Sequence, residues 1–214
     1  MKGEIMKNIK QISHPLIEHK LSILRDKKTD PFQFRMLIDE ISYLMLFEAS
    51  NDLRLKDAPI TTPVAKMTAK RLDEKIMICP ILRAALGMLD AVFKLIPDAS
   101  VGFLGFQRNE ESLQAEFFYA KLPADYKERT AIIIDPMFAT GGTAIDAVKF
   151  LKEKGVKKIK FISIIAAPEG LKKFSEIYPD VPVYTAAIDE KLNEKGYIVP
   201  GLGDAGDRVF NTMK

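Results

Sequence analysis

Residues 131–148, AIIIDPMFATGGTAIDAV, constrain the fold more than any other part of the chain. A continuous apolar run ends in Asp135, a loop of small residues follows, and Thr143 opens an amphipathic segment with Ile145, Val148 and Leu151 on one side. An apolar run without polar alternation is the pattern of a strand covered on both faces, and a helix directly after it is the building unit of a parallel α/β sheet. The alternation recurs: KIMICPI precedes ALGMLDAVFKLI, which stops at Pro97, and GTAIDAVKFLKEK, closed by Gly155, precedes KKIKFISII. Short strands alternating with helices of about 10–15 residues predict parallel crossovers, with helices on both faces of the sheet.

Before this core, Leu16, Ile17, Leu21 and Leu24 recur at helical spacing, and Phe34, Leu37, Ile38, Ile41, Leu44 and Met45 form a second stripe. Residues 1–55 therefore read as a helical lead-in. Two β-prone segments flanking the polar QRNEES predict a protruding β-arm over about 101–123. At about 150 residues per domain, 214 residues suit one domain with an extension, taken as 1–214.

Composition excludes several classes. Hydrophobic residues at 47% and charged ones at 29% do not fit a disordered, collagen-like or coiled-coil chain. A net charge of +3 gives little reason to expect a nucleic-acid or membrane binder. The single cysteine, Cys79, cannot form an internal disulfide and lies in an apolar run, as expected for a buried thiol in a reducing compartment. The N-terminus has no apolar run of signal-peptide length, and FISIIAAP is far short of the ~20 residues of a membrane span, so a cytoplasmic location is expected. His14 and His19 have no partner at ligand spacing, and the charge run KEKGVKKIK reads as a solvated helix end.

Four segments could carry chemistry, each weighed against a plainer reading: a tight strand-to-helix turn, a polar turn, a surface salt bridge and a solvated surface charge, in that order. In the first, Gly141 and Gly142 let backbone amides converge, the hydroxyls of Thr140 and Thr143 can donate, and the helix N-terminus adds positive potential, which together favour phosphate. The lysine of the nucleoside-triphosphate loop is missing, and Asp135 stands where it can accept hydrogen bonds from sugar hydroxyls. The second, GLGDAGDR, matches GxGxxG but has too little chain after it for a dinucleotide fold; exposed backbone groups there, with Asp204 and Asp207, can instead read the edge of a planar ligand. In the third, Arg83 follows a buried strand and suits an anion. The fourth is Arg108, in the arm.

Together with HPLIEHKLSILRD, FEASNDL, ILRAALGM, GFQRNEES, FFYAKLP, DPMFATGGT and GYIVPGLGDAGDRVF, in this order and over nearly the whole chain, these segments resemble the uracil phosphoribosyltransferase family. Phosphoribosyltransferases commonly carry two adjacent acids before the phosphate loop; here Ile134 precedes a single Asp135, which is similar to the uracil branch. The resemblance implies transfer of a phosphoribosyl group from 5-phospho-α-D-ribose 1-diphosphate (PRPP) to uracil, giving UMP and diphosphate in pyrimidine salvage. It implies catalytic roles for Asp135, Arg108 and Asp204. It also implies PRPP binding by Arg83, Arg108, Asp135, Pro136, Met137, Phe138, Ala139, Thr140, Gly141, Gly142, Thr143 and Asp204. Uracil would be bound by Ile198, Gly203, Asp204 and Ala205. It further implies Mg²⁺ carried by PRPP rather than by protein side chains, a homo-oligomer of two or more subunits and, as in some members, GTP as an activator.

Two residues depart from the pattern: Ala85 stands where the family commonly has glycine, and Asn109 where aspartate is frequent after the arginine. A positive φ at Ala85 would cost about 1 kcal/mol. The alternatives are an RNA-binding pyrimidine regulator, against which the small net charge counts, and a nucleotide sensor without turnover, each on the same fold.

Overall fold

The computed structural model describes residues 6–108 and 115–212, without the side chains of residues 107, 108, 115 and 116. In chain order its elements are β1 (Ile9–Gln11), α1 (Pro15–Arg25), α2 (Pro31–Ala49), β2 (Leu55–Thr61), β3 (Lys66–Leu72), β4 (Ile76–Leu82), a 3-10 turn (Ala84–Met88) and α3 (Leu89–Leu95). Then come β5 (Ser100–Val101), β6 (Phe103–Arg108), β7 (Ala115–Lys121), β8 (Thr130–Ile134), β9 (Met137–Phe138), α4 (Gly142–Glu153), β10 (Lys158–Ala166) and α5 (Pro168–Ile177). β11 (Val183–Ile188), β12 (Lys191–Leu192), β13 (Ile198–Val199) and α6 (Ala205–Phe210) complete the order.

Among the described residues, the main sheet runs β1-β11-β10-β8-β4-β6-β7, with β5 and β9 attached to β4 and β10. All its pairs are parallel except β6 with β7. The alternating strand residues sort into two cores. Ile76, Ile78, Ile132, Ile134, Ile162 and Ile164 face α1, α2, α3 and α6; Met77, Cys79, Ile133 and Phe161 face α4 and α5. Because both faces are covered, the strands carry no polar alternation. Burial pushes the Cys79 thiol far above its usual range, which leaves it protonated and inert.

The lead-in helices start where local chemistry places them. His14 accepts the Leu16 amide at 3.2 Å and Asp30 accepts that of Gln33 at 2.8 Å, each just before a proline at the first helical position. α2 buries Phe34, Leu37, Ile38, Ile41 and Met45, each worth about 1.5–3 kcal/mol, with Leu44 at the margin. Leu16, by contrast, is exposed.

Three strands within residues 1–72 lie outside the helical reading. β1 is a three-residue edge strand, too short for periodicity to reveal, and β2 and β3 pair only with each other. The helical lead-in is thus interrupted at its start and followed by a hairpin. The β-arm forms as an antiparallel pair rooted in the sheet, with Leu104 opposite Ile81 and Phe117 stacked on Phe150 of α4 at 5.0 Å. Its tip, including Asn109, lies outside the described residues.

The charge run after α4 departs from expectation at Lys160. This side chain is buried, donates to the Ala49 carbonyl at 2.8 Å and is ion-paired with Asp52, so it anchors the end of α2. On α4 the buried residues are Ala144, Ala147, Val148 and Leu151, whereas Ile145 is only half-buried. The helix begins one residue earlier than expected, at Gly142.

Candidate active site

Adjacent parallel strands place their C-terminal ends along one edge of the sheet. Pro80 pairs with Ile134 and Ile134 with Ile162, so Arg83 beyond β4 and Asp135 beyond β8 emerge side by side, with Ala167 and Asp189 following β10 and β11. Open α/β sheets bind ligands at this edge.

The loop after β8 is held to the sheet before it turns. The Asp135 amide donates to Ile162, Pro136 accepts from Ile164 and Ile165, and Met137 and Phe138 pair with Ile165 and Ala166 as β9. Phe138 is buried edge-on against Phe161 and Phe174, at 5.0 and 5.4 Å between ring centres, so what it offers a ligand is backbone. Gly141 then takes φ +78°, a left-handed turn that glycine accommodates without strain, and α4 starts. Thr140 Oγ1 accepts the Gly142 amide at 3.4 Å. A cavity of about 180 Å³ is enclosed by Asp135, residues 137–144 and Phe161. The first residues of α4 line it, and unpaired amides at a helix start suit an anion.

Gly170, in the first turn of α5, escaped the sequence reading. A Cβ there would meet the Ala139 carbonyl oxygen at 2.0 Å, and a Cβ on Gly141 would meet the Gly170 carbonyl oxygen at 2.8 Å. The cavity is therefore shaped from behind by α5. Only knowledge of the β10–α5 packing reveals this, because nothing in the local sequence distinguishes Gly170 from any other helical glycine.

Asp135 is largely buried in the cavity wall, and its carboxylate accepts the Met137 amide at 3.2 Å. Burial pushes its pKa up to about 7, against the opposing effect of that hydrogen bond. It is therefore poised between its neutral and charged forms near physiological pH.

Arg83 opens the 3-10 turn, after a cis Leu82–Arg83 peptide. Its side chain is 64% exposed, with Asp207 3.9 Å away and the Phe210 ring centre 5.9 Å from the guanidinium carbon. So loose and exposed a pair leaves the guanidinium available to an anion. Ala85, two residues on, is buried and is not among the positive-φ residues, so the strain considered for it does not arise. The Arg108 side chain lies outside the description, although its backbone ends β6.

The glycine-rich segment meets the Arg83 turn. The six-residue α6 begins within it at Ala205, capped by Asp204 Oδ1 accepting the Asp207 amide at 2.9 Å, and no strand follows among the described residues. Gly206 faces Ala84, and Gly201 and Gly203 take φ +67° and +80°. Ile198 and Ala205 have buried side chains, so they too can present only backbone to a ligand. The backbone N–H and C=O of Gly203 have no partner among the described residues.

The same architecture occurs in solved structures. The adenine phosphoribosyltransferase of Trypanosoma brucei, solved with AMP, pyrophosphate and ribose-5-phosphate, aligns over 94% of this chain and 90% of its own with a TM-score of 0.61 at 12% identity. The fold is thus that of the phosphoribosyltransferases. A protein of Aquifex aeolicus aligns over 94% of this chain and 97% of its own, with a TM-score of 0.89 and 41% identity. In sequence, the family model for uracil phosphoribosyltransferase matches residues 11–212, and the uracil phosphoribosyltransferase of Campylobacter concisus is 82% identical over 208 residues, 97% of this chain and 100% of that one. This chain belongs to the uracil phosphoribosyltransferase family.

Proposed function

We propose that the C-terminal edge of the sheet transfers the phosphoribosyl group of PRPP to uracil, giving UMP and diphosphate. The observation that carries this reading is the anion cradle of residues 137–144 with the Asp135 carboxyl at its mouth, on a chain of this family. The backbone from Pro136 to Thr143 holds the 5-phosphate, and Asp135 accepts hydrogen bonds from the ribose hydroxyls. As the bond from C1 to the pyrophosphate oxygen breaks, its electron pair leaves with diphosphate and positive charge builds on the sugar. Arg83 and Arg108 stabilise the leaving group, and the ionised Asp135 faces the developing positive charge. N1 of uracil forms the new bond to C1, and its proton passes to Asp204 or to water.

Mg²⁺ enters as part of the substrate. An ion carried by the pyrophosphate would need no cluster of protein carboxylates, with Arg83 and Arg108 facing the same group. It supplies charge neutralisation on the diphosphate.

Base choice falls to Ile198 and Gly203–Ala205 through backbone groups. Uracil donates from N3 and accepts at O2 and O4; cytosine reverses N3 and the exocyclic group, so its fit would leave polar groups unpaired. The unpartnered backbone of Gly203 supports this assignment.

The same reading takes residues 1–214 as one phosphoribosyltransferase domain, cytoplasmic, assembled as a dimer or larger homo-oligomer and activated by GTP as in some family members. The exposed apolar side chains of the β2–β3 hairpin, Leu55, Val64, Met67 and Leu72, support assembly. Among the described residues no helix is long and apolar enough to cross a membrane. Uracil-dependent UMP formation by the purified protein, with and without GTP, tests the activity and its regulation; light scattering tests the assembly. The regulator and sensor alternatives draw no support from the family match.

A further inference from the structure

Arg25 ends α1, within what the sequence presents as a lead-in, yet its guanidinium reaches the catalytic edge. Its Nη1 and Nη2 donate to Asp189 Oδ2 and Oδ1 at 2.8 and 2.5 Å, a two-pronged pair just beyond β11. The Asp189 side chain is 3% exposed, and a carboxylate so buried is tolerable only when its charge and lone pairs are matched.

The pair also occupies both backbone groups of Gly201. The Gly201 amide donates to Asp189 Oδ2 at 2.8 Å, and its carbonyl accepts from Arg25 Nη1 at 2.7 Å. One residue further, the Leu202 carbonyl accepts from Arg208 at 2.8 Å; the same guanidinium donates to the Leu24 and Asp26 carbonyls at the end of α1. Only glycine fits at this position, since a Cβ would lie 2.2 Å from the Ile198 carbonyl oxygen. With Gly201 and the Leu202 carbonyl held by protein, the next residue, Gly203, has no backbone partner among the described residues.

We propose that Arg25 and Asp189 are positioning residues for base recognition, fixing Gly201 so that Gly203–Ala205 meet the pyrimidine edge in one register. The proposal rests on the reading of that loop as the uracil site. Its selectivity follows from connectivity: the phosphate cradle is tied to β10 and α5, whereas the base loop is tied to α1 and the end of β11. Loosening the clamp therefore acts more on uracil than on PRPP, which meets this loop only at Asp204 and through the Arg83 turn.

The test compares wild type, Asp189→Asn, Arg25→Lys and the double variant in steady-state UMP formation, with thermal melting alongside. A lysine keeps the charge but cannot supply the fork and the Gly201 contact together. The expected result is a KM for uracil raised about tenfold in each single variant, a KM for PRPP within about twofold of wild type, and a double variant no worse than the more severe single. Equal rises in both KM values, or unchanged KM values with only a lower melting temperature, would overturn the positioning role. Should Asp189→Asn fail to fold, the same split in Arg25→Lys decides the matter. A wild-type protein that forms no UMP overturns the base-site reading and the clamp with it; an active wild type with unselective variants overturns the clamp alone.

Discussion

The α-carbon of Gly170 lies so close to the Ala139 carbonyl that a β-carbon would stand 2.0 Å from its oxygen. The first turn of α5 and the phosphate cradle are thus in backbone contact, and the cradle's shape depends on a residue in a different crossover.

Gly170→Ala is expected to displace residues 139–141 and to raise the KM for PRPP by about tenfold or more, with the KM for uracil little changed. Steady-state kinetics with each substrate varied in turn check this. An alanine variant with wild-type PRPP kinetics would show that the cradle yields freely.

Asp135 gives a pH signature with a defined sign. An unfolded chain ionises this carboxyl near 3.8, whereas the folded protein holds the proton until about 7. Between these values the folded state binds more protons, so stability falls as pH rises from about 4 to about 7 and then levels. Asp135→Asn removes this component, and denaturant titrations of both proteins across that range measure the difference. Ribose hydroxyls donate to the charged form, so kcat/KM for PRPP is expected to rise through pH 7 in wild type and to lose that limb in Asp135→Asn.

Arg108→Ala is expected to reduce kcat by about 10²-fold or more while changing uracil affinity little, because its proposed contact is with the departing diphosphate. Pre-steady-state turnover together with equilibrium uracil binding separates the two effects. Equal activity in the variant would remove Arg108 from the mechanism.

The crossover core was legible because its strands are buried on both sides: IMICPIL and TAIII contain no alternation that could be mistaken for a surface strand, and each is followed by a stripe of helical spacing. The strand, glycine turn and helix start proposed to hold phosphate were legible as geometry because they are local, with Asp135 and Thr143 only eight residues apart. Contacts between distant segments were not. Arg25 and Asp189 are separated by 164 residues, and Lys160 and Asp52 by 108, so neither pairing leaves a pattern within any window of sequence. β1 was too short to show a period, and β2 and β3, solvated on both faces, lack the apolar alternation by which a half-buried strand announces itself.

Uracil-dependent phosphoribosyl transfer is expected to depend on Asp135. The direct measurement is UMP formation from PRPP, Mg²⁺ and uracil, with cytosine, hypoxanthine and no-base controls, in wild type and Asp135→Ala. The account predicts UMP with uracil only and its loss in the variant. Clear PRPP binding without UMP, or turnover undiminished in Asp135→Ala, would contradict it.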